Sequence, residues 1–132
     1  MAGWGTGSLE NDDAQKFLSE MKSLSVDDLK QKLVRAADQE EYLEAPESSV
    51  AVAAAEVVAT MVGGKAAESA PQKIKDWIQE KKPVASAEFV DLARRAVERV
   101  RTNSELKDLW MEAEGLNEWS AELRNLAERL AS

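Results

Sequence analysis

The sequence predicts an all-α protein, a compact bundle of six to seven short helices around a central Ala/Val-rich helix. Three observations predict it. Apolar residues recur at offsets of three, four and seven, with no sustained alternation of the kind that marks a strand. Most of these runs follow Ser, Asn, Asp or Pro and end near Gly, Asn or Pro, the residues that open and close helices. The stretch 47–62 is apolar on nearly every face, as expected of a helix that other helices surround. A chain of 132 residues suits one helical domain, 1–132, because chains of this length usually fold around a single core.

Each element has a local reason. Asn11 or Asp12 caps a first helix whose Ala14, Phe17, Leu18 and Met21 share one face. Ser25 opens a second: Asp28 lies three residues on, a carboxylate variant of the capping box, ahead of the stripe Leu29, Leu33, Ala36 and Ala37. Residues 38–47 form a charged connector in which Tyr42 and Leu43 are expected to fold back onto the core. Pro46 disfavours helical geometry at Ala45, so the third helix is expected from about Glu47.

At about 100° per residue from Val50, the residues Met61, Ala54, Val58, Ala51 and Val62 fall on one face of that helix and Glu56 falls opposite. Gly63-Gly64 ends it. Residues 65–70 read as a loop, and Pro71 suits the first position of a fourth helix carrying Ile74, Trp77 and Ile78 before Pro83. Ser86 caps a longer helix with Phe89, Leu92, Ala93, Ala96, Val97 and Val100 facing inward. Asn103-Ser104 breaks and restarts the chain, Leu106, Leu109 and Trp110 line the next helix, and Gly115 closes it. Asn117 is expected to cap the last, with Trp119, Leu123, Leu126 and Leu130 at offsets 0, 4, 7 and 11. Trp77, Trp110 and Trp119 sit at core spacings, where their indole N–H groups need local acceptors.

Composition removes much chemistry. The chain has no Cys and no His. Disulfides, thiol nucleophiles, Ser-His-Asp systems and imidazole or thiolate metal sites are therefore excluded. A formal net charge of -8 argues against nucleic acid, which would be repelled. The opening Met1–Asp13 has neither a basic n-region nor an apolar h-region, and the apolar stretch 50–62 is too short for a bilayer. No membrane association and a cytoplasmic location are expected.

The charge is unevenly placed. Residues 1–47 hold 11 acids against 5 bases, and no base lies between Arg35 and Lys65. Asp38, Glu40, Glu41, Glu44 and Glu47 fall in that gap and are the candidate contacts for a basic protein partner. Such a field favours a non-catalytic interaction module, and small acidic helical proteins of the immunity or antitoxin kind neutralise cationic enzymes through charge complementarity.

The segment W-G-T-G-S-L-E-N-D-D-A, Trp4 to Ala14, resembles the opening W-G-x-G-x-F-x-N-D-x-A of an uncharacterised bacterial family, domain of unknown function 4259. The blocks Y-L-E-A-P-E-S-S-V-A-V-A-A-A-E-V-V-A, N-S-E-L-K-D-L-W and W-S-A-E-L-R-N-L-A-E-R-L, which begin at Tyr42, Asn103 and Trp119, are similar to the same family. Leu9 stands where the family usually has Phe, and Lys16 where many members have Asp. The resemblance implies one domain across nearly the whole chain and implies no reaction.

Candidate site residues follow from the remaining chemistry. The glycines of the opening do not make a phosphate cradle, because no strand precedes them and Asn11, Asp12 and Asp13 follow. They are expected to let Trp4 pack while Asn11 and Asp12 cap orphan N–H groups. Trp4, Asn11, Asp12, Asp13, Tyr42 and Glu56 are the candidate pocket residues; no metal ligand set and no cofactor is assigned. Glu56, a carboxylate among alanines and valines, is exposed, paired with Arg94, Arg95 or Arg99, or placed in a pocket. The alternative function is a Mg²⁺- or Mn²⁺-dependent hydrolase of a small phosphorylated molecule. It would use i, i+3 carboxylates such as Glu41/Glu44, Glu44/Glu47 and Glu88/Asp91, with Asp12, Asp13 or Glu56.

Overall fold

The computed structural model describes residues 12–38, 41–63 and 70–131. Among these residues the chain forms seven α-helices and no strand. They are α1 (Asp12–Ser19), α2 (Val26–Asp38), α3 (Ala45–Val62), α4 (Gln72–Lys81), α5 (Ala87–Thr102), α6 (Glu105–Glu112) and α7 (Leu116–Ala131), with a 3-10 turn at Met21–Ser23 between α1 and α2. This is the all-α bundle that the periodicity predicts.

The start signals act as expected at three helices. Ser25 and Asp28 form a reciprocal capping box: each backbone N–H donates to the other's side chain at 3.0 Å. Ser86 Oγ accepts from the Phe89 N–H at 3.2 Å, and Ser104 Oγ from the Lys107 N–H at 3.1 Å. Ser104 is buried and also donates to the Val100 carbonyl at 2.6 Å, so one hydroxyl joins the end of α5 to the start of α6.

α3 is the axis of the bundle. It packs against all six other helices, and Ala51, Ala53, Ala54, Ala55, Val57 and Val58 on it are buried. Alanine keeps the helix thin enough for neighbours on every side to approach closely. Of the face expected to carry Met61, Ala54, Val58, Ala51 and Val62, the residues Ala51, Ala54 and Val58 are buried, while at the C-terminal end Met61 is half-buried and Val62 is exposed. α2, α5 and α7 supply the facing stripes: Leu29, Leu33, Phe89, Val97, Val100, Leu123, Leu126 and Leu130 all lie in one core cluster. Trp77 and Trp119 are buried as well, and the Trp77 indole donates to the Leu24 carbonyl at 2.9 Å.

Several boundaries differ from expectation, each for a visible reason. α3 begins at Ala45 rather than Glu47, with Pro46 in its first turn, where no intrahelical N–H is needed. α4 starts at Gln72, leaving Pro71 as its N-cap rather than its first residue. α7 begins at Leu116, so Asn117 lies inside its first turn and does not cap it. Gly115 does not close α6 by adopting a left-handed conformation; Glu114 does, at φ 61°. Glycine is needed at 115 for closeness instead. Its N–H donates to the Trp110 carbonyl at 3.0 Å, and a Cβ there would meet Trp110 Cε3 at 2.7 Å.

The early start of α3 has a further effect. At 18 residues it is long and apolar enough to cross a membrane by length and composition. Its residues are instead packed inside the bundle, with Ser48 and Ser49 fully buried. Burial, not shortness, makes it a core helix.

Candidate functional site

The connector ahead of α3, Tyr42 to Glu44, has no regular structure, and Glu44 at its end is extended, at φ -71° and ψ 156°. Leu43 is fully buried while Tyr42 is 53% exposed. The expectation that both fold into the core holds for Leu43 and fails for Tyr42.

The connector is fastened to α5 and α6. The Glu105 N–H donates to the Leu43 carbonyl at 2.8 Å. The Glu105 carboxylate in return accepts from the Ala45 N–H at 2.8 Å. Arg99 donates to the Glu41 carbonyl at 2.8 Å and to the Asn103 carbonyl at 3.0 Å. The Tyr42 hydroxyl donates to the Asp108 carboxylate at 2.5 Å. This bond, with the negative charges of Asp108, Glu105 and Glu112, pushes the Tyr42 hydroxyl up to about 12.

Around Tyr42 the surface is therefore acidic and partly apolar. Glu105, Asp108 and Glu112 lie at i, i+3 and i+7 along one stripe of α6, Glu105 and Asp108 half-buried and Glu112 exposed. Met111, three residues beyond Asp108, is 49% exposed. Glu44 is exposed at the N-cap of α3, and its side chain makes no capping bond. Of these residues, Glu105, Asp108, Met111 and Glu112 were not among the sequence candidates. Their spacing opposite the apolar Leu106 and Trp110 was a legible sign of an acidic stripe on the outer side of α6. That Tyr42 lies on it was not.

The remaining acidic candidates have mixed fates. Asp38 is held by Arg95 at 2.8 Å, and Arg95 also binds Asp91 at 3.1 Å, so Arg95 is held above the usual guanidinium range. Hydrogen bonds from Arg94 and Arg95 hold Asp91 below the usual carboxylate range. Glu47 is half-buried and lies 3.3 Å from the exposed Arg35, an ion pair without hydrogen-bond alignment. Glu41 is exposed. Glu40 lies outside the described residues.

Among the pocket candidates, Trp4 and Asn11 also lie outside the described residues. Asp12 is exposed in the first turn of α1. Asp13 lines a cleft of about 480 Å³ between α1, α2 and the start of α3, whose walls also carry Lys16, Lys32 and Glu20 over Phe17 and Pro46. Glu56 is 14% exposed and paired with Arg129 of α7, in a two-pronged contact at 2.8 and 3.0 Å. An arginine partner was expected, but Arg94, Arg95 and Arg99 are turned to Asp91, Asp38 and Glu41 instead. Tyr42, Glu44 and Glu56 do not line the Asp13 cleft. The candidates thus disperse over the connector, α1 and the α3–α7 seam. Among the described residues, no three carboxylates stand close enough together to hold a metal ion.

A family model described as a domain of unknown function, DUF4259, matches residues 3–122. The chain belongs to that family. The match covers all the residues of the Tyr42–α6 surface and of the Glu56–Arg129 pair except Arg129 itself. No curated protein and no solved structure matches the chain.

Proposed function

We propose that the chain is a single-domain, non-catalytic interaction module of the cytoplasm that docks a basic protein on the surface formed by Tyr42, Glu44 and the acidic stripe of α6. One observation supports it above the others: the exposed Tyr42 lies against Asp108, in the field of Glu105 and Glu112, on a helix that also carries the exposed Met111. Interfaces are enriched in Tyr and Met at their centres and are steered by complementary charge at their edges. A neutraliser of a cationic enzyme, of the immunity or antitoxin kind, is the concrete form of this reading. The acidic connector seen in the sequence contributes less than its composition suggests, because Asp38 and Glu47 are turned to the chain's own arginines.

The metal-dependent hydrolase is the weaker reading. Glu47, Glu56 and Asp91, on which it drew, are each given to an arginine.

The test is capture from lysate at low and high salt with the wild type, with Glu44→Lys/Glu112→Lys, and with the charge-matched control Glu88→Lys/Glu122→Lys. The expected result is a salt-sensitive partner lost only with the first pair. Equal loss with both pairs would show that net charge alone is responsible and would remove the surface from the argument.

A further inference from the structure

We infer that the cavity between α1, the 3-10 turn and α4 binds a small organic anion with an apolar body, of which a short-chain carboxylate is the simplest form. The site shares no residue with the Tyr42–α6 surface and does not depend on the docking reading. The cavity measures about 280 Å³, at the small end of the range for ligand sites, about 300–1,000 Å³. Leu18 of α1, Met21 of the 3-10 turn and Trp77 of α4 form its floor, and all three are buried. The Trp77 indole N–H is held by the Leu24 carbonyl at 2.9 Å, so the tryptophan offers an occupant ring surface and no donor. Such a floor accepts an apolar body.

The rim selects the charge. α4 contributes Lys73, Asp76, Trp77 and Glu80 at i, i+3, i+4 and i+7, so one face of the helix is a wall of the cavity, and the 3-10 turn contributes Lys22. The two acids are engaged within the chain: Asp76 accepts from the Gln72 side-chain amide at 2.8 Å, and Glu80 stands 3.9 Å from Lys81. The two lysines are exposed, and among the described residues neither side chain has an ion pair or hydrogen bond. In a chain of net charge -8, α4 and its C-cap Lys82 carry four lysines against those two acids. A carboxylate at this rim supplies the counter-charge that Lys22 and Lys73 lack, and their methylene stems extend the apolar wall. A dianionic phosphate would set a second negative charge beside Asp76 and Glu80.

The full chain, labelled with ¹⁵N, is titrated with butyrate, pentanoate and hexanoate, and separately with hexylammonium, 1-hexanol and hexyl phosphate. The expected result is a saturable shift of amide signals in Leu18–Lys22 and Lys73–Glu80. Each added methylene of the carboxylate strengthens binding by about fourfold, and hexanoate binds more tightly than the other three six-carbon probes. Lys22→Gln/Lys73→Gln weakens hexanoate by about fivefold, to the level of 1-hexanol. The charge-matched Lys107→Gln/Arg124→Gln, on α6 and α7, leaves it unchanged. All four substituted side chains lie outside the core, and far-ultraviolet circular dichroism confirms that each variant is folded.

Three outcomes overturn the inference. Shifts that do not saturate, or that do not fall on the two lining segments, remove the cavity as a site. Hexylammonium or hexyl phosphate bound as tightly as hexanoate removes the monoanion as its occupant. Equal weakening by the two pairs of substitutions shows that net charge alone is responsible and removes Lys22 and Lys73 as its contacts.

Discussion

The Glu105 carboxylate accepts the Ala45 N–H at 2.8 Å, so the first residue of α6 caps the first turn of α3 from 60 positions away. The central helix thus has no local cap: Glu44 occupies its N-cap without a side-chain bond. Glu105→Ala removes the substitute and should cost about 1–2 kcal/mol, the range of a lost N-cap. Urea denaturation measures it. A loss below a few tenths would mean that the Ala45 N–H finds water instead.

Tyr42 and Leu43 are neighbours in sequence with opposite burial. Leu43→Ala should destabilise by about 3 kcal/mol, because a fully buried leucine leaves a cavity among helices that cannot all close over it. Tyr42→Phe, which loses only a surface hydrogen bond to Asp108, should lower Tm far less than Leu43→Ala. Similar losses from the two substitutions would contradict their opposite burial.

The same tyrosine sets an alkaline limit. Its folded pKa is raised from 10.0 to about 12. The neutral hydroxyl is therefore favoured by folding. Its contribution is complete below about pH 10 and is lost as pH rises through 12. Phenolate absorbance of the folded chain should titrate with a midpoint near 12; a midpoint near 10 would mean that the Asp108 bond does not persist in solution.

Gly115 lies against the Trp110 ring. Gly115→Ala would set a Cβ 2.7 Å from Trp110 Cε3, and the ring, buried at 9% exposure, can yield only by disturbing α6. A loss of about 1–3 kcal/mol is expected from overpacking, with a change in tryptophan near-ultraviolet circular dichroism. Glu114→Gly, which relieves the left-handed residue at φ 61°, should stabilise by a few tenths to about 1 kcal/mol.

Glu56 and Arg129 test whether a half-buried ion pair stabilises the seam between α3 and α7. Glu56→Gln should cost about 2 kcal/mol by leaving the guanidinium without its counter-charge. Glu56→Leu/Arg129→Leu should cost less than the sum of the two single substitutions, since neither charge is then left uncompensated. Additive losses would show that the two side chains act independently.

Much of the fold was legible because its causes are local. A capping serine and its target amide lie three residues apart, and an apolar stripe repeats within two turns. Ser25, Ser86 and Ser104 therefore named their helices correctly, as did the stripes of α2, α5 and α7. The exceptions were also local misreadings. Pro46 was weighed against helix at Ala45 without allowing for a first turn, and Gly115 was expected to close a helix whose left-handed end is Glu114. The candidate site was less legible, because charge counts along a chain do not say which acids meet an arginine.

By itself the sequence determined the absence of Cys and His chemistry, the all-helical class and the central place of the Ala/Val-rich helix. It also carried the family resemblance that the match over residues 3–122 bears out. Tertiary structure alone decided that Asp38 meets Arg95, that Glu56 meets Arg129 rather than an arginine of α5, and that Tyr42 lies on α6. Those partners are 57, 73 and 66 residues apart. The physical reason is one of range: caps and periodicity act within a turn or two of helix. Pairings across the bundle depend on how helices are offset and rotated against one another, which no local run of residues encodes.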